Sequence, residues 1–342
     1  MSVPSFSIRE YRADDETAVL ALLYQSLGNG RAFARTSAFW RWKHFQNPFG
    51  PSLMVVAANG EILGLRAFMR WQFRVGARTI TAVRAVDTAT HPMHRRHGVF
   101  SALSRLTVER ARAEGIDLIF NTPNRVSLPG YLKLGWTYVG RPHLLVRILK
   151  PARVIGALVR KTARNEVEGP VLTAPVVPSE MLLRRSGVLE PLLAQDDHLC
   201  ADGIRTNRTM AFLRWRYMGG SSLSYYAFWR GVEPSTVVAI LRPNLRRGLR
   251  EIMLCEMLLS RAGVRDVPGL IRDLIEAVDA DYLVAHAPLR SVHWQALVRA
   301  GFLPIPRLGP HFAVRPLTPG GVGVFPTRLV RWHLSLGDLE VF

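Results

Sequence analysis

A repeated aromatic and basic segment constrains the architecture of this chain more than any other feature. AFWRWKH begins at Ala38, and AFLRWRY begins at Ala211. Two strand-like apolar runs follow each segment, and each half closes with a short helical pattern and a glycine turn, YLKLGW at 131–136 and ALVRAGF at 296–302. Three matches in the same order predict two tandem copies of one fold. A length of 342 residues allows two domains.

The first half alternates strand and helix patterns. Apolar periodicity and turn residues predict a strand and helix, two hairpins, a helix, a buried strand and a short helix, over 6–28, 52–69, 73–92, 98–115, 116–123 and 127–136. This order predicts an α/β domain built on a mixed sheet.

The domain organisation follows from the repeat and from one proline-rich stretch. We predict a first domain at 1–148, a linker at 149–182 and a second domain at 183–342. Residues 142–165 are basic and partly apolar, which indicates a last strand and a connecting helix, or alternatively an amphipathic surface that contacts anionic lipid.

The junction HPMHRRHGVFSAL, at 91–103, carries unusual positive charge between a predicted strand and helix. Pro92 ends the strand, Arg95 and Arg96 precede Gly98, and the helix begins without a Ser, Thr, Asp or Asn cap. A helix N-terminus has unpaired N–H groups and favours anions. The junction predicts a phosphate site, or alternatively a tight turn with solvated arginines. It lacks both G-x-x-x-x-G-K-[ST] and G-x-G-x-x-G, so it is neither a P-loop nor a dinucleotide fingerprint.

A second pattern follows in the next strand and helix. NTPNRVSLPGYLKLGW places Asn124 and Tyr131 ahead of a Gly-Trp pair. Together with the turn at 95–100, this segment resembles the Gcn5-related N-acetyltransferase (GNAT) superfamily. The motifs of that family are [RQ]-x-x-G-x-[GA] and N-x-x-A-x-x-x-Y-x-x-x-G-[FW]. Phe100 replaces the small residue of the first motif, and Ser127 replaces the alanine of the second.

The resemblance covers roughly residues 6–145 and implies the mixed-sheet acyl-CoA N-acyltransferase fold, in two tandem copies. Backbone N–H groups of the turn would hold the pyrophosphate of acetyl-CoA. The strand that ends at Thr90 would pair with the pantetheine arm, and Asn124 would steady that arm from the facing strand. The residues implied to bind the cofactor are Thr88, Ala89, Thr90, Arg95, Arg96, His97, Gly98, Val99, Phe100, Ser101 and Asn124.

The resemblance also implies direct attack of an acceptor amine on the acetyl carbonyl within a ternary complex. A backbone N–H near Thr90 would stabilise the oxyanion, and Tyr131 would protonate the departing thiolate. The alternative for Tyr131 is an ordinary core aromatic.

The base is predicted from its neighbours on the same strand. Arg84 stands where some family members carry a catalytic glutamate, so Asp87 and His91 are the nearest candidates. We predict Asp87 as the base, against the alternative that it is a structural acid paired with Arg84 or Arg95.

The second half lacks the signals of the first. Its equivalent junction, LLSRAGVRDVPGL at 258–270, has no phosphate motif, and Leu297 stands at the position of Tyr131. We therefore predict a degenerate GNAT-like domain that does not bind acetyl-CoA.

Composition narrows the function classes. The net charge is +19, but the basic residues are spread through both halves without an arginine-rich tail, so nucleic acid is an unlikely partner. Cys200 and Cys255 are too few for a disulfide framework and lack metal-ligand spacing, which predicts no metal site. The sequence has no long apolar run and no signal-like start, which predicts a cytoplasmic protein without transmembrane segments.

The predicted function is that of an acetyl-CoA-dependent N-acetyltransferase acting on a primary amine of a small molecule, such as an amino sugar. One alternative is an acyltransferase that uses aminoacyl-tRNA or a longer acyl donor, which the positive charge could serve. The other is a non-catalytic CoA-binding or scaffold protein.

Overall fold

The computed structural model describes residues 6–27, 35–159, 168–219, 223–231, 237–318 and 328–339. The strands of the first half are β1 (Ser7–Glu10), β2 (Leu53–Asn59), β3 (Glu61–Val75), β4 (Arg78–Thr90), β5 (Leu118–Asn121), β6 (Thr137–Gly140) and β7 (Leu144–Ile148). Its helices are α1 (Glu16–Leu27), α2 (Ser37–Phe45), α3 (Val99–Ala113), α4 (Leu128–Lys133) and α5 (Pro151–Val159).

The second half repeats this alternation. Its strands are β8 (Val171–Leu172), β9 (Val177–Pro178), β10 (Ile204–Thr206), β11 (Tyr226–Arg230), β12 (Val237–Arg246), β13 (Leu249–Leu259), β14 (Val278–Asp279), β15 (Tyr282–His286), β16 (Leu303–Ile305), β17 (Phe312–Pro316) and β18 (Trp332–His333). Its helices are α6 (Ser179–Leu183), α7 (Ser186–Leu199), α8 (Met210–Tyr217), α9 (Val267–Glu276), α10 (Val292–Arg299) and α11 (Leu336–Leu339).

Two mixed sheets form the framework. The first has the strand order β1-β2-β3-β4-β5-β17-β6, and the second has the order β16-β7-β15-β13-β12-β11-β9. Each contains a long antiparallel hairpin, β3–β4 or β12–β13, followed by one parallel pair, β4–β5 or β13–β15. The predicted mixed α/β fold is confirmed, and the second sheet repeats the strand pattern of the first.

The two sheets share strands from both halves of the chain, and β10 of the second half also pairs with β3 at the side of the first sheet and carries β18 with it. β7, from the first half, pairs with β15 and β16 of the second sheet, while β17, from the second half, lies between β5 and β6 of the first. An internal strand is hydrogen-bonded on both sides, so each sheet depends on the other half of the chain. The boundaries at 148 and 183 stay predictions, and neither predicted domain holds every strand of its own sheet.

The repeated aromatic segments form matching helices that lock together. Thr36 caps α2 and Thr209 caps α8, each accepting a hydrogen bond from the backbone N–H three residues later. Trp42 Nε1 donates to the Trp215 carbonyl oxygen at 2.8 Å, and Trp215 Nε1 donates to the Trp42 carbonyl oxygen at 3.0 Å. The two rings stack with centroids 5.1 Å apart. Equivalent residues that exchange the same bond indicate a pseudo-twofold axis between the copies.

The two predicted hairpins, over 52–69 and 73–92, share one long strand. β3 runs without interruption from Glu61 to Val75, pairs with β2 and with β4, and turns into β4 at Gly76, whose φ is 56°. The middle of β3 is buried on both faces because helices and the second copy cover the sheet. The largest hydrophobic core contains residues from both halves, among them Trp71 and Phe212.

The segment after the first sheet forms β7 and α5, as the strand-and-helix interpretation of 142–165 predicts, up to residue 159; the rest lies outside the described residues. Ile155, Leu158 and Val159 are exposed on α5, and contact with a membrane surface stays a prediction. Within the described ranges, no helix has the length and apolar character needed to cross a bilayer.

Candidate active site

The first sheet opens into a cleft between β4 and β5. Their parallel pairing is confined to Ala82–Arg84 and Leu118–Phe120. The predicted residues Thr88, Ala89 and Thr90 lie on β4 beyond the paired stretch, and Asn124 follows β5. A register shift between β3 and β4 marks a bulge at this level, and Asp87 has a φ of 40° there. Such bulges redirect side chains and end pairing next to active sites.

Helix α3 begins directly after the basic turn. Gly98 is its N-cap, with a φ of 79°, and none of the described side chains caps the helix. A cavity of about 350 Å³ adjoins the helix start, lined by Thr90, His94, Arg95, Arg96, Gly98, Val99, Phe100 and Ser101. His97, also predicted, is exposed on the same turn. The turn and the end of β4 therefore meet at one cavity, where unpaired N–H groups and two arginines favour an anion.

Arg66 on β3 joins the predicted acid to the predicted cofactor strand. Its Nη1 donates to the Tyr131 hydroxyl oxygen at 2.8 Å and to Thr88 Oγ1 at 2.6 Å. The side chain is fully buried, and its Nε and Nη2 have no hydrogen-bond partner among the described residues. A guanidinium stays charged in proteins, and a buried charge without a counter-ion is costly. This position is therefore suited to a polarised or anionic group of a ligand.

Asp87, the predicted base, lies in a buried cluster of cations. Its Oδ2 contacts Lys43 Nζ and, at 3.0 Å, His44 Nε2, while Arg35 Nε lies 3.8 Å from Oδ1. Burial would raise the pKa of Asp87, but the charge of Lys43 and the hydrogen bond of His44 hold it well below its usual value. Burial lowers the pKa of both Lys43 and His44, which the carboxylate of Asp87 partly offsets.

These contacts bear directly on the predicted role of Asp87. A carboxylate whose pKa lies far below the working pH is a weak proton acceptor. The geometry favours the structural alternative, although the partner is a lysine and not the arginines that the sequence indicated.

The first half of the chain, which contains this site, matches a known protein family. A family model described as an acetyltransferase (GNAT) domain matches residues 7–139. This part of the chain belongs to the GNAT superfamily. No curated protein sequence matches the chain.

Three solved structures share the fold of this chain over both halves. A GCN5-related N-acetyltransferase from Anabaena variabilis superposes with a TM-score of 0.66 at 13% identity, covering 93% of this chain and 74% of that one. A probable N-acyltransferase from Enterococcus faecalis has a TM-score of 0.60 at 11% identity, covering 92% and 73%. A GCN5-related N-acetyltransferase from Kribbella flavida has a TM-score of 0.60 at 16% identity, covering 93% and 72%. At these identities the likeness shows the fold.

Phe100 is the residue of the GNAT phosphate motif that departs from the family pattern. Its ring meets the Tyr131 ring edge-on at 5.7 Å and lies 5.6 Å from the Arg66 guanidinium. Gly130 lies against it, since a Cβ there would be in ordinary van der Waals contact with the ring at 3.4 Å. The ring therefore packs against α4, beside the proposed acid.

Asn124 has a structural task in the GNAT domain. Its Oδ1 accepts hydrogen bonds from the backbone N–H groups of Val126 at 3.0 Å and Ser127 at 2.8 Å, which orders the loop that leads into α4. Its side-chain amide remains the group that could face the cleft, so a contact with the cofactor stays a prediction.

Sequence reasoning missed Arg66, Lys43 and His44. Arg66 stands in the apolar run ILGLRAFM of a strand that is otherwise a clear core element, and a charge at such a position is a signal of a buried site. Lys43 and His44 are the last two residues of the aromatic repeat AFWRWKH, and no role was predicted for them. Their partner Asp87 is distant in the sequence, and periodicity does not reveal such pairs.

Proposed function

We propose that the GNAT domain binds acetyl-CoA in the cleft between β4 and β5 and transfers its acetyl group to a primary amine of a small acceptor, such as an amino sugar. The observation that carries this proposal is the Arg66–Tyr131 pair, which is buried beside Thr88 with two guanidinium nitrogens unpartnered among the described residues.

The cofactor would be held along the cleft. Its pyrophosphate would sit at the N-terminus of α3, where the backbone N–H groups from Val99 to Ser101 and the side chains of Arg95 and Arg96 provide donors and positive charge. Its pantetheine arm would pair with β4 at Thr88–Thr90, beyond the last parallel pair with β5. The thioester would then lie near Arg66 and Tyr131.

Proton transfer follows from the hydrogen bond at Tyr131. Because Arg66 Nη1 donates to the hydroxyl oxygen, the Tyr131 proton must be donated elsewhere. The amine nitrogen attacks the carbonyl carbon, the C–S bond breaks, and Tyr131 gives its proton to the leaving sulfur. The charge of Arg66 stabilises negative charge on the sulfur and on the phenolate that remains.

The proton of the attacking amine needs another acceptor. The ion pair with Lys43 makes Asp87 a positioning residue in this proposal, since it fixes the bulge that carries Thr88. His91, at the end of β4, is the remaining side chain that the sequence names as a base.

A thermal shift tests cofactor binding. Acetyl-CoA at about 100 times its Kd should stabilise the chain by about 2.7 kcal/mol. Gly98→Val should abolish this shift, because the side chain strains a residue with a φ of 79° at the phosphate site. Gly60→Val is the matched control: Gly60 also has a positive φ, of 73°, and open space around it, but it lies in the β2–β3 turn. The proposal would be contradicted if both variants lost the shift. It would also be contradicted if acetyl-CoA changed the melting temperature of neither the wild type nor the variants.

Turnover with a panel of amines, measured as the release of free thiol, tests whether Tyr131 is the general acid. Tyr131→Phe should lower kcat by about 100-fold with little change in KM for acetyl-CoA. Unchanged turnover would remove Tyr131 from the mechanism. Binding of acetyl-CoA without transfer to any amine would favour a CoA-binding or scaffold role, and transfer from aminoacyl-tRNA alone would favour the other donor.

A further inference from the structure

The second sheet opens into a cleft of its own between β13 and β15. The parallel pairing of these two strands is limited to three residue pairs, between Glu251–Met253 and Tyr282–Val284. The parallel pairing of β4 and β5 in the first sheet is equally short. Beyond it lies a cavity whose lining includes Cys200, Arg208, Glu256, His286, His293 and His333. Leu297 lines it at the place of Tyr131, so this cleft offers a different set of reactive groups.

Two of these lining residues, Cys200 and His293, form a chain of contacts with Asp196, which lies behind them. Cys200 follows the end of α7, and its Sγ lies 3.9 Å from Nδ1 of His293, on α10. His293 Nε2 lies 2.7 Å from Oδ1 of Asp196. Asp196 is fully buried and is held by the backbone N–H of Leu259 at 2.8 Å and by Arg208 at 2.6 Å. A nucleophile, a base within reach and a carboxylate that orients the base are the recurring elements of an activated thiol.

The electrostatics of the cluster support a charged thiolate. Burial would raise the pKa of Cys200, but hydrogen bonds from His293 and His333 and the charge of His293 lower it to about 6. Burial would lower the pKa of His293, but the charge of Asp196 and the hydrogen bond to it raise it to about 10. The C-terminal end of α7 disfavours a thiolate, so the charge on Cys200 depends on the histidines.

The same cluster could be taken for a metal site, since one ligand atom each from Asp196, Cys200 and His293 lie within 4.8 Å of one another. However, both Asp196 oxygens are already bonded, Oδ1 to His293 Nε2 and the backbone N–H of Leu259, and Oδ2 to Arg208.

We propose that Cys200, His293 and Asp196 form a second reactive centre, at which the Cys200 thiolate accepts an acyl group from a thioester. Cys200 Sγ attacks the carbonyl carbon and forms a new C–S bond as the C–S bond of the donor breaks. The leaving sulfur takes the proton of His293 Nδ1 and departs as a thiol, while Asp196 holds the imidazole ring. This centre goes beyond the proposed function and uses no residue of the first cleft.

Acylation of the full chain by two acetyl donors tests this centre. Acetyl-CoA and S-acetyl-N-acetylcysteamine, a thioester without a nucleotide, are incubated separately with the protein, and the labelled peptide is located by mass spectrometry. We expect one hydroxylamine-labile acetyl group on Cys200 from at least one donor. Labelling by acetyl-CoA alone would identify the donor as a CoA thioester, and labelling by both would show that the thioester suffices.

The other cysteine supplies the matched control. Cys255→Ser should keep the label and Cys200→Ser should lose it, while His293→Gln should slow acylation by about 100-fold. The wild-type chain also gives a readout that needs no variant. Alkylation of Cys200 by iodoacetamide should change little between pH 7 and 9, whereas an ordinary thiol of pKa about 8.5 would react roughly 25-fold faster at the higher pH.

Three results would overturn the centre: absence of acetyl on Cys200 with both donors, alkylation that rises steeply over this pH range, or acylation that His293→Gln leaves unchanged. Stoichiometric Zn²⁺ binding that blocks labelling until a chelator is added would make the cluster a metal site instead. None of these results depends on the Gly98→Val thermal shift, so failure here is distinct from failure of the proposed function.

Discussion

Removal of Lys43 tests how much the basic side chains around Asp87 contribute to the free energy of unfolding. The Lys43 side chain is 2% exposed and that of Asp87 is 4% exposed, so Lys43→Met leaves a buried carboxylate without its main counter-ion. Breaking a buried pair from one side costs about 3–5 kcal/mol. His44 remains bonded to Asp87, which places the expected loss near 3 kcal/mol.

The pH dependence of this loss follows from the direction of the pKa shifts. In the wild type the pKa of Asp87 is depressed, so its contribution to stability is present above about pH 4 and is lost as the pH falls through the folded value. In Lys43→Met, His44 and Arg35 still oppose the effect of burial but the largest opposing charge is gone, so the pKa of Asp87 rises. The Asp87 carboxyl of the variant then takes up a proton at a higher pH than in the wild type. The difference in the free energy of unfolding between wild type and variant should therefore become smaller as the pH falls from 7 to 5.

Urea unfolding followed by tryptophan fluorescence at both pH values measures the loss. Arg41→Met is the control on the same helix, because the Arg41 side chain is 64% exposed in its pair with Glu16 and should contribute less than about 1 kcal/mol. The double variant Lys43→Met/Asp87→Asn should recover part of the loss. A cost below 1 kcal/mol, or one that does not change with pH, would refute the account of a buried ion pair.

Three further outcomes are expected. Trp42→Phe and Trp215→Phe should each lower the free energy of unfolding by about 1 kcal/mol, because each removes one hydrogen bond of the interlock, and a double-mutant cycle should show non-additive losses. Arg66→Met should leave the melting temperature unchanged or raise it while lowering kcat, since it removes a buried charge that lacks a described counter-ion; a large drop in the melting temperature would contradict this. Burial and the charge of Asp338 raise the pKa of Glu256, so wild-type stability should fall as the pH rises from 5 to 8, and Glu256→Gln should flatten that dependence in thermal melts.

The sequence was sufficient for features that local patterns encode. The uncapped turn before α3 and the hairpin at Asn59–Gly60 both follow from spacing within about ten residues. The strand exchange could not be predicted, because β7 and β17 occupy corresponding places and either would satisfy the apolar pattern of either sheet. Arg66 and the partners of Asp87 were missed for a related reason: a buried charge is explained only by neighbours that the fold brings together from elsewhere.

The strand exchange has a consequence for synthesis of the chain. β6 ends at Gly140 and its neighbour β17 begins at Phe312, so a ribosome adding about 5–20 residues per second separates them by on the order of 10–30 s. During that interval β5 and β6 present open edges, which favour pairing with any available strand. β7 is made within about two seconds of β6 and is the nearest competitor for the gap. The nascent chain must therefore keep β7 out of the first sheet until the second half is made, or fold into two self-contained copies whose interface differs from the one described above.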